Sequence, residues 1–162
     1  MTAADPRPRD AAVIDIGSNS VRLVFYRIEG RAIWTGHNEK VLAGLGREVA
    51  RTDRLSPEGV KASLTALKRF RVLLDAVQPS ELHVVATAAV REAEDGPDFC
   101  DRIAADTGLK VRVLTGEEEA RYAALGVLAG SPRAEGLAAD SRRRAPPVRL
   151  EPQPGWRDRG RR

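Results

Sequence analysis

Residues 11–23 read Ala11-Ala12-Val13-Ile14-Asp15-Ile16-Gly17-Ser18-Asn19-Ser20-Val21-Arg22-Leu23. An apolar run over Ala11–Ile16 carries one carboxylate, Asp15, next to its end, and Gly17 to Ser20 are turn formers. A strand-like pattern resumes over Val21–Ile28. The stretch predicts a β-hairpin with a polar tip. Gly30 marks the next turn, Ala32–Leu42 predicts a third strand, and Gly44, Gly46 and Asp53 predict a loop after it.

Further along, Ser56-Pro57 is a helix start, with Ser as N-cap and Pro at the first helical position. Val60, Leu64, Leu67, Phe70, Leu74 and Val77 then recur at helical spacing until Pro79 stops the helix. Leu82–Ala86 predicts a buried strand that leads into a loop, Thr87-Ala88-Ala89-Val90-Arg91. A second helix is predicted over Pro97–Asp106, ended by Gly108, and a strand over Lys110–Leu114. Thr115-Gly116-Glu117-Glu118 matches a capping box and opens a helix to about Leu128. The order β-β-β-α-β-α-β-α implies an α/β fold whose sheet is mixed, antiparallel at first and parallel where helices cross over. Such an order is typical of ribonuclease-H-like domains.

With 162 residues, 42% hydrophobic and 31% charged, the chain has room for one core. No apolar run reaches the roughly eighteen residues of a membrane helix. Residues 1–10 predict a flexible, polar N-terminus without a signal-peptide pattern, so a cytoplasmic location with no membrane partner is expected. The net charge is +4, but residues 131–162 hold nine Arg against four acids. The basic character therefore belongs to the tail and not to the body, residues 11–130. That tail also has five Pro and no Lys, which predicts disorder. The single Cys100 lacks metal-ligand spacing and reads as a small core residue. His83, between Leu82 and Val84, reads as a sheet residue and His37 as a surface one.

A carboxylate at a strand end followed by Gly-Ser-Asn-Ser has a use in phosphate chemistry as well as in turns. Gly17 lets the backbone approach an anion, and successive N–H groups with the hydroxyls of Ser18 and Ser20 supply donors. Asp15 suits a hydrated Mg²⁺, which takes one or two carboxylates plus phosphate oxygens. Arg91 lies after a strand, where a guanidinium can clamp phosphate bidentately; its plainer role is a surface pair with Glu92 or Glu94. The helix dipole and the cap account for Glu117 and Glu118. They account less well for Glu119, which begins Glu-Ala-Arg at the edge of the apolar face. No Ser/His/Asp or Cys/His triad and no Walker-type loop occurs.

Taken together, Asp15 to Leu23, Ala86 to Arg91, Thr115 to Arg121 and Gly126-Val127 resemble the exopolyphosphatase/guanosine pentaphosphate phosphohydrolase family in order and spacing. The resemblance runs from about Ala11 to Gly130. It implies the actin-like ATPase superfamily fold, with two ribonuclease-H-like halves around a cleft for linear polyphosphate or guanosine pentaphosphate. The implied reaction is Mg²⁺-dependent hydrolysis of a terminal phosphate. By this resemblance Asp15 serves metal binding, Gly17, Ser18, Asn19 and Ser20 form the first phosphate loop, Arg91 contacts phosphate, and Glu119 activates water.

Where the family continues into a second loop of the form D-x-G-G-G-S, the sequence here reads Asp140-Ser141-Arg142-Arg143-Arg144-Ala145. Arg cannot replace Gly where backbone approaches phosphate. The expectations are a chain lacking the second lobe, weakly active or inactive, and a reading-frame change near Asp140. An incomplete cleft also implies self-association, as a homodimer or through the exposed cleft face. Two competing readings are an ATP-binding kinase-like protein of the same superfamily and a non-catalytic polyanion-binding protein. For the latter, nucleic acid is disfavoured by the absence of interleaved aromatics.

Overall fold

The computed structural model describes residues 7–30, 32–130, 136–138 and 148–150. Residues 1–113 and 114–162 form two compact units. The first opens on β1 (Arg9–Ile16), β2 (Ser20–Glu29) and β3 (Ala32–Leu42). There follow α1 (Val49–Thr52), α2 (Pro57–Val77), β4 (Glu81–Ala86), α3 (Ala88–Glu92), α4 (Gly96–Thr107) and β5 (Arg112–Val113). The five strands form one sheet in the order β3-β2-β1-β4-β5. The first three are antiparallel neighbours, and β4 and β5 run parallel to β1. This is the mixed sheet, antiparallel at first and parallel where helices cross over, that the element order implies.

Strand alternation sends Ala12, Ile14 and Ile16 of β1, with Val21, Leu23 and Phe25 of β2, to one sheet face. Leu64, Leu67, Phe70 and Leu74 of α2, with Phe99 and Ile103 of α4, complete that core. Burying each such side chain stabilises the fold by about 1.5–3 kcal/mol. Of the predicted apolar stripe on α2, Val77 alone falls outside the core, at 52% exposure in the last turn. Ser56 caps α2 by accepting from the Gly59 N–H at 3.3 Å, and Gln78, in the left-handed region at φ 50°, closes it.

Several boundaries differ from those read in the sequence. β1 begins at Arg9, so residues 9 and 10 belong to the sheet and not to a flexible N-terminus. The stretch Thr87–Arg91, expected as a loop, contains the single turn α3, and the loop after β3 contains α1. Each is too short to show a hydrophobic period. β5 is only two residues long.

The second unit contains α5 (Gly116–Gly130), β6 (Gly136–Ala138) and β7 (Val148–Leu150). The predicted capping box is formed: the Glu118 N–H donates to Thr115 Oγ1 at 3.1 Å, and Glu118 Oε2 accepts from the Thr115 N–H at 3.0 Å. β6 and β7 pair antiparallel, two short strands that the composition of the tail does not predict. The rest of residues 131–162, on which the expectation of disorder falls, lies outside the described residues. Among the described residues no helix is long and apolar enough to cross a membrane.

Candidate phosphate-binding site

Because β1 and β4 run parallel, their C-terminal ends lie at the same sheet edge. In open α/β sheets that edge is where ligands bind. Asp15 and Ile16 finish β1 there, and the Thr87 N–H donates to the Ile16 carbonyl at 3.2 Å, which fixes the entry into α3. Asp15 is exposed, on the face opposite the core, and is paired in register with Arg22. Arg22 Nε in turn donates to Asn38 Oδ1 at 2.8 Å.

The tip itself is held from two sides. The Gly17 N–H donates to the Ser20 carbonyl at 2.9 Å, closing the turn on itself. That donor is therefore committed within the turn. The Asn19 carbonyl accepts from Ala43 and Gly44, both at 3.0 Å, and the Ser18 carbonyl accepts from Gly46 at 2.8 Å. A Cβ on Gly46 would sit 3.0 Å from Ser18 Cβ and 3.1 Å from Ala89 Cβ. The turn, the loop after β3 and α3 thus meet at residue 46, where any side chain would force Ser18 or Ala89 to give by a few tenths of an ångström.

Arg91 lies in the last turn of α3 with its side chain 23% exposed, and its guanidinium lies 3.7 Å from Glu92. The plainer expectation, an ion pair with Glu92, is the arrangement seen. Glu119 belongs to the second unit, one residue past the capping glutamate, and is half-buried. The structure thus brings Asp15, Gly17, Ser18, Asn19, Ser20 and Arg91 to one edge of the first unit. Among the described residues no three His, Cys, Asp or Glu side chains cluster as a metal site. Asp15 beside the turn fits a hydrated Mg²⁺, which needs no more than one or two protein carboxylates when phosphate supplies the other oxygens.

The loop Ala43–Arg47 is the part that sequence reading missed. Its signal, Gly44-x-Gly46, was visible only as a loop marker. Arg47, exposed, folds its side chain over Gly44, which has φ +67°. The remaining singled-out residues have ordinary roles. His37 is half-exposed, 3.6 Å from Glu39, and His83 is exposed, 3.8 Å from Glu81. Cys100 packs against the core, and burial, with the nearby Asp101 charge, pushes its thiol pKa up, away from the nucleophilic thiolate.

The Ppx/GppA phosphatase family matches residues 24–141, a range that includes Arg91 and Glu119 and begins just after the turn. The chain belongs to the Ppx/GppA phosphatase family. Among solved structures it is similar to the Aquifex aeolicus member of that family, at 33% identity and a TM-score of 0.73, over 81% of this chain and 42% of the other. It is also similar to an exopolyphosphatase from Cytophaga hutchinsonii, at 30% identity and a TM-score of 0.62, over 67% of this chain and 35% of the other. An exopolyphosphatase-like protein matches at 28% identity and a TM-score of 0.67, over 75% of this chain and 36% of its own length. The chain thus spans about two-fifths or less of these relatives. The family match ends one residue after Asp140, where the Arg-rich departure begins.

Proposed function

We propose that this chain supplies the first phosphate-binding half of a phosphoanhydride hydrolase that removes the terminal phosphate of inorganic polyphosphate or guanosine pentaphosphate. The observation that carries the reading is the convergence of the turn Gly17–Ser20, the loop after β3 and the start of α3, through Thr87 and Ala89, at the C-terminal edge of β1 and β4. In this reading the N–H groups and hydroxyls of Ser18 and Ser20, with the Asn19 N–H, hold a phosphate. Swung out from Glu92, the Arg91 guanidinium adds two charge-assisted bonds. Asp15 holds Mg²⁺, whose chemistry would be to neutralise charge on the departing phosphate oxygens. Glu119 orients and deprotonates the attacking water.

Phosphoryl transfer depends on positioning and on charge stabilisation from the walls of the site. The relatives place more than half of their length outside the matched region, so the chain assayed alone is expected to bind weakly and turn over slowly. The test is Mg²⁺-dependent phosphate release from long-chain polyphosphate by the 162-residue chain beside Glu119→Ala. Release lost in that variant supports the assignment. Release unchanged by it removes Glu119 from the chemistry. If there is no release from a folded chain, the groups shown here do not suffice by themselves.

A further inference from the structure

Apart from the phosphate site, the free edge of the sheet carries complementary chemistry. β3 is 11 residues long, pairs only with β2 among the described residues, and leaves its outer row of backbone N–H and C=O groups at an edge. Such edges are normally shortened, covered, bulged or charged. β3 carries Lys40 and one bulge, yet it exposes three large apolar side chains: Leu42 at 70%, Ile33 at 56% and Trp34 at 51%. Beside it, an open groove of about 500 Å³ is lined by Val41 and, from α2, by Ala62, Thr65 and Ala66 together with the charged Glu58, Lys61 and Arg69.

The register within β3 shows what fits that edge. Phe25 pairs with His37 and Tyr26 with Thr35, so Gly36 is an extra, bulged residue. Alternation therefore places Trp34, His37, Glu39 and Val41 on the face that α2 covers, and Ile33, Thr35, Asn38, Lys40 and Leu42 on the other. Around a two-fold axis at Asn38, a second β3 running antiparallel meets the first with every face in agreement. His37 then lies opposite Glu39 of the second copy, Thr35 opposite Lys40, Trp34 opposite Val41 and Ile33 opposite Leu42. Each apolar residue finds an apolar partner and no like charges are opposed; the imidazole faces a carboxylate that within its own chain already pairs with His37 and with Arg69 of α2. With Gly36 as the extra residue the partners are these; an unbulged strand about the same axis would instead oppose Trp34 to Leu42 and Ile33 to Ala43.

We infer that two copies of this chain pair through their β3 edges into one continuous ten-stranded sheet, an isologous dimer. The pairing uses none of the phosphate-site residues and stands independently of the proposed reaction. Opposed residues in an antiparallel pair have Cα atoms about 4.5–5.5 Å apart, within disulfide reach. Two measurements test the inference on the whole chain. By sedimentation equilibrium, the protein is expected at about twice its 17.6 kDa mass, with Leu42→Lys, an exposed change, reverting to the single mass. In a Cys100→Ser background, Asn38→Cys is expected to form a covalent dimer under mild oxidation, while Val72→Cys, exposed on α2, does not. A wild-type chain at the single mass, a dimer that persists in Leu42→Lys, or cross-linking no faster at 38 than at 72 would each overturn the inference.

Discussion

At residue 46 the contact distances leave little choice of side chain. A methyl group there would press on Ser18 and Ala89 at 3.0–3.1 Å, and a branched side chain would push the phosphate turn away from α3. Gly46→Val is expected to leave the helices intact by circular dichroism and to weaken polyphosphate binding by roughly tenfold or more, a loss of about 1.4 kcal/mol. Binding equal to wild type would show that the meeting of turn and helix is unimportant. Gly96 is still more constrained, since a Cβ would lie 2.0 Å from the Val90 carbonyl oxygen, which is backbone and cannot rotate aside. Gly96→Ala is expected to cost about 1–3 kcal/mol, seen as a lowered midpoint in urea. An unchanged midpoint would mean that the α3–α4 corner relaxes freely.

At the level of elements, the devices that define helix ends are local, and those were legible in the sequence. Ser56-Pro57 caps α2, and Thr115 with Glu118 forms the capping box of α5, as their spacing predicts. Ser56→Ala is expected to lower stability by about 1 kcal/mol, measured by thermal or urea unfolding, because the Gly59 N–H loses its acceptor in a buried position. No change would mean that another group takes over the cap. The apolar run over Ala11–Ile16 was legible as a strand, but that Ile14 and Ile16 face the core while Asp15 is exposed on the other side of β1 is seen only in the structure. What could not be read is non-local or too short for a period. Single turns such as α1 and α3 carry no repeat, and the hold of Ala43, Gly44 and Gly46 on the Ser18 and Asn19 carbonyls spans the whole of β2 and β3. The fate of the Gly17 N–H was also invisible, because turn residues and phosphate-nest residues are the same residue types.

For the molecule as a whole, the proposed function assigns phosphate binding to a group of residues at one sheet edge of the first unit. Two sources of positive charge could attract a polyanion: that edge, through Arg91, and the Arg-rich tail. They differ in what they predict. Binding at the edge depends on one bidentate guanidinium, whereas binding by the tail would be diffuse and additive over Arg142, Arg143 and Arg144. The most direct measurement is calorimetric titration of the 162-residue chain with long-chain polyphosphate and Mg²⁺, beside Arg91→Ala and the triple change Arg142→Ala, Arg143→Ala and Arg144→Ala. The account predicts that Arg91→Ala weakens binding by roughly tenfold or more, the loss of a charge-assisted hydrogen bond, while the triple variant binds nearly as wild type. Binding that survives Arg91→Ala and disappears in the triple variant would contradict it.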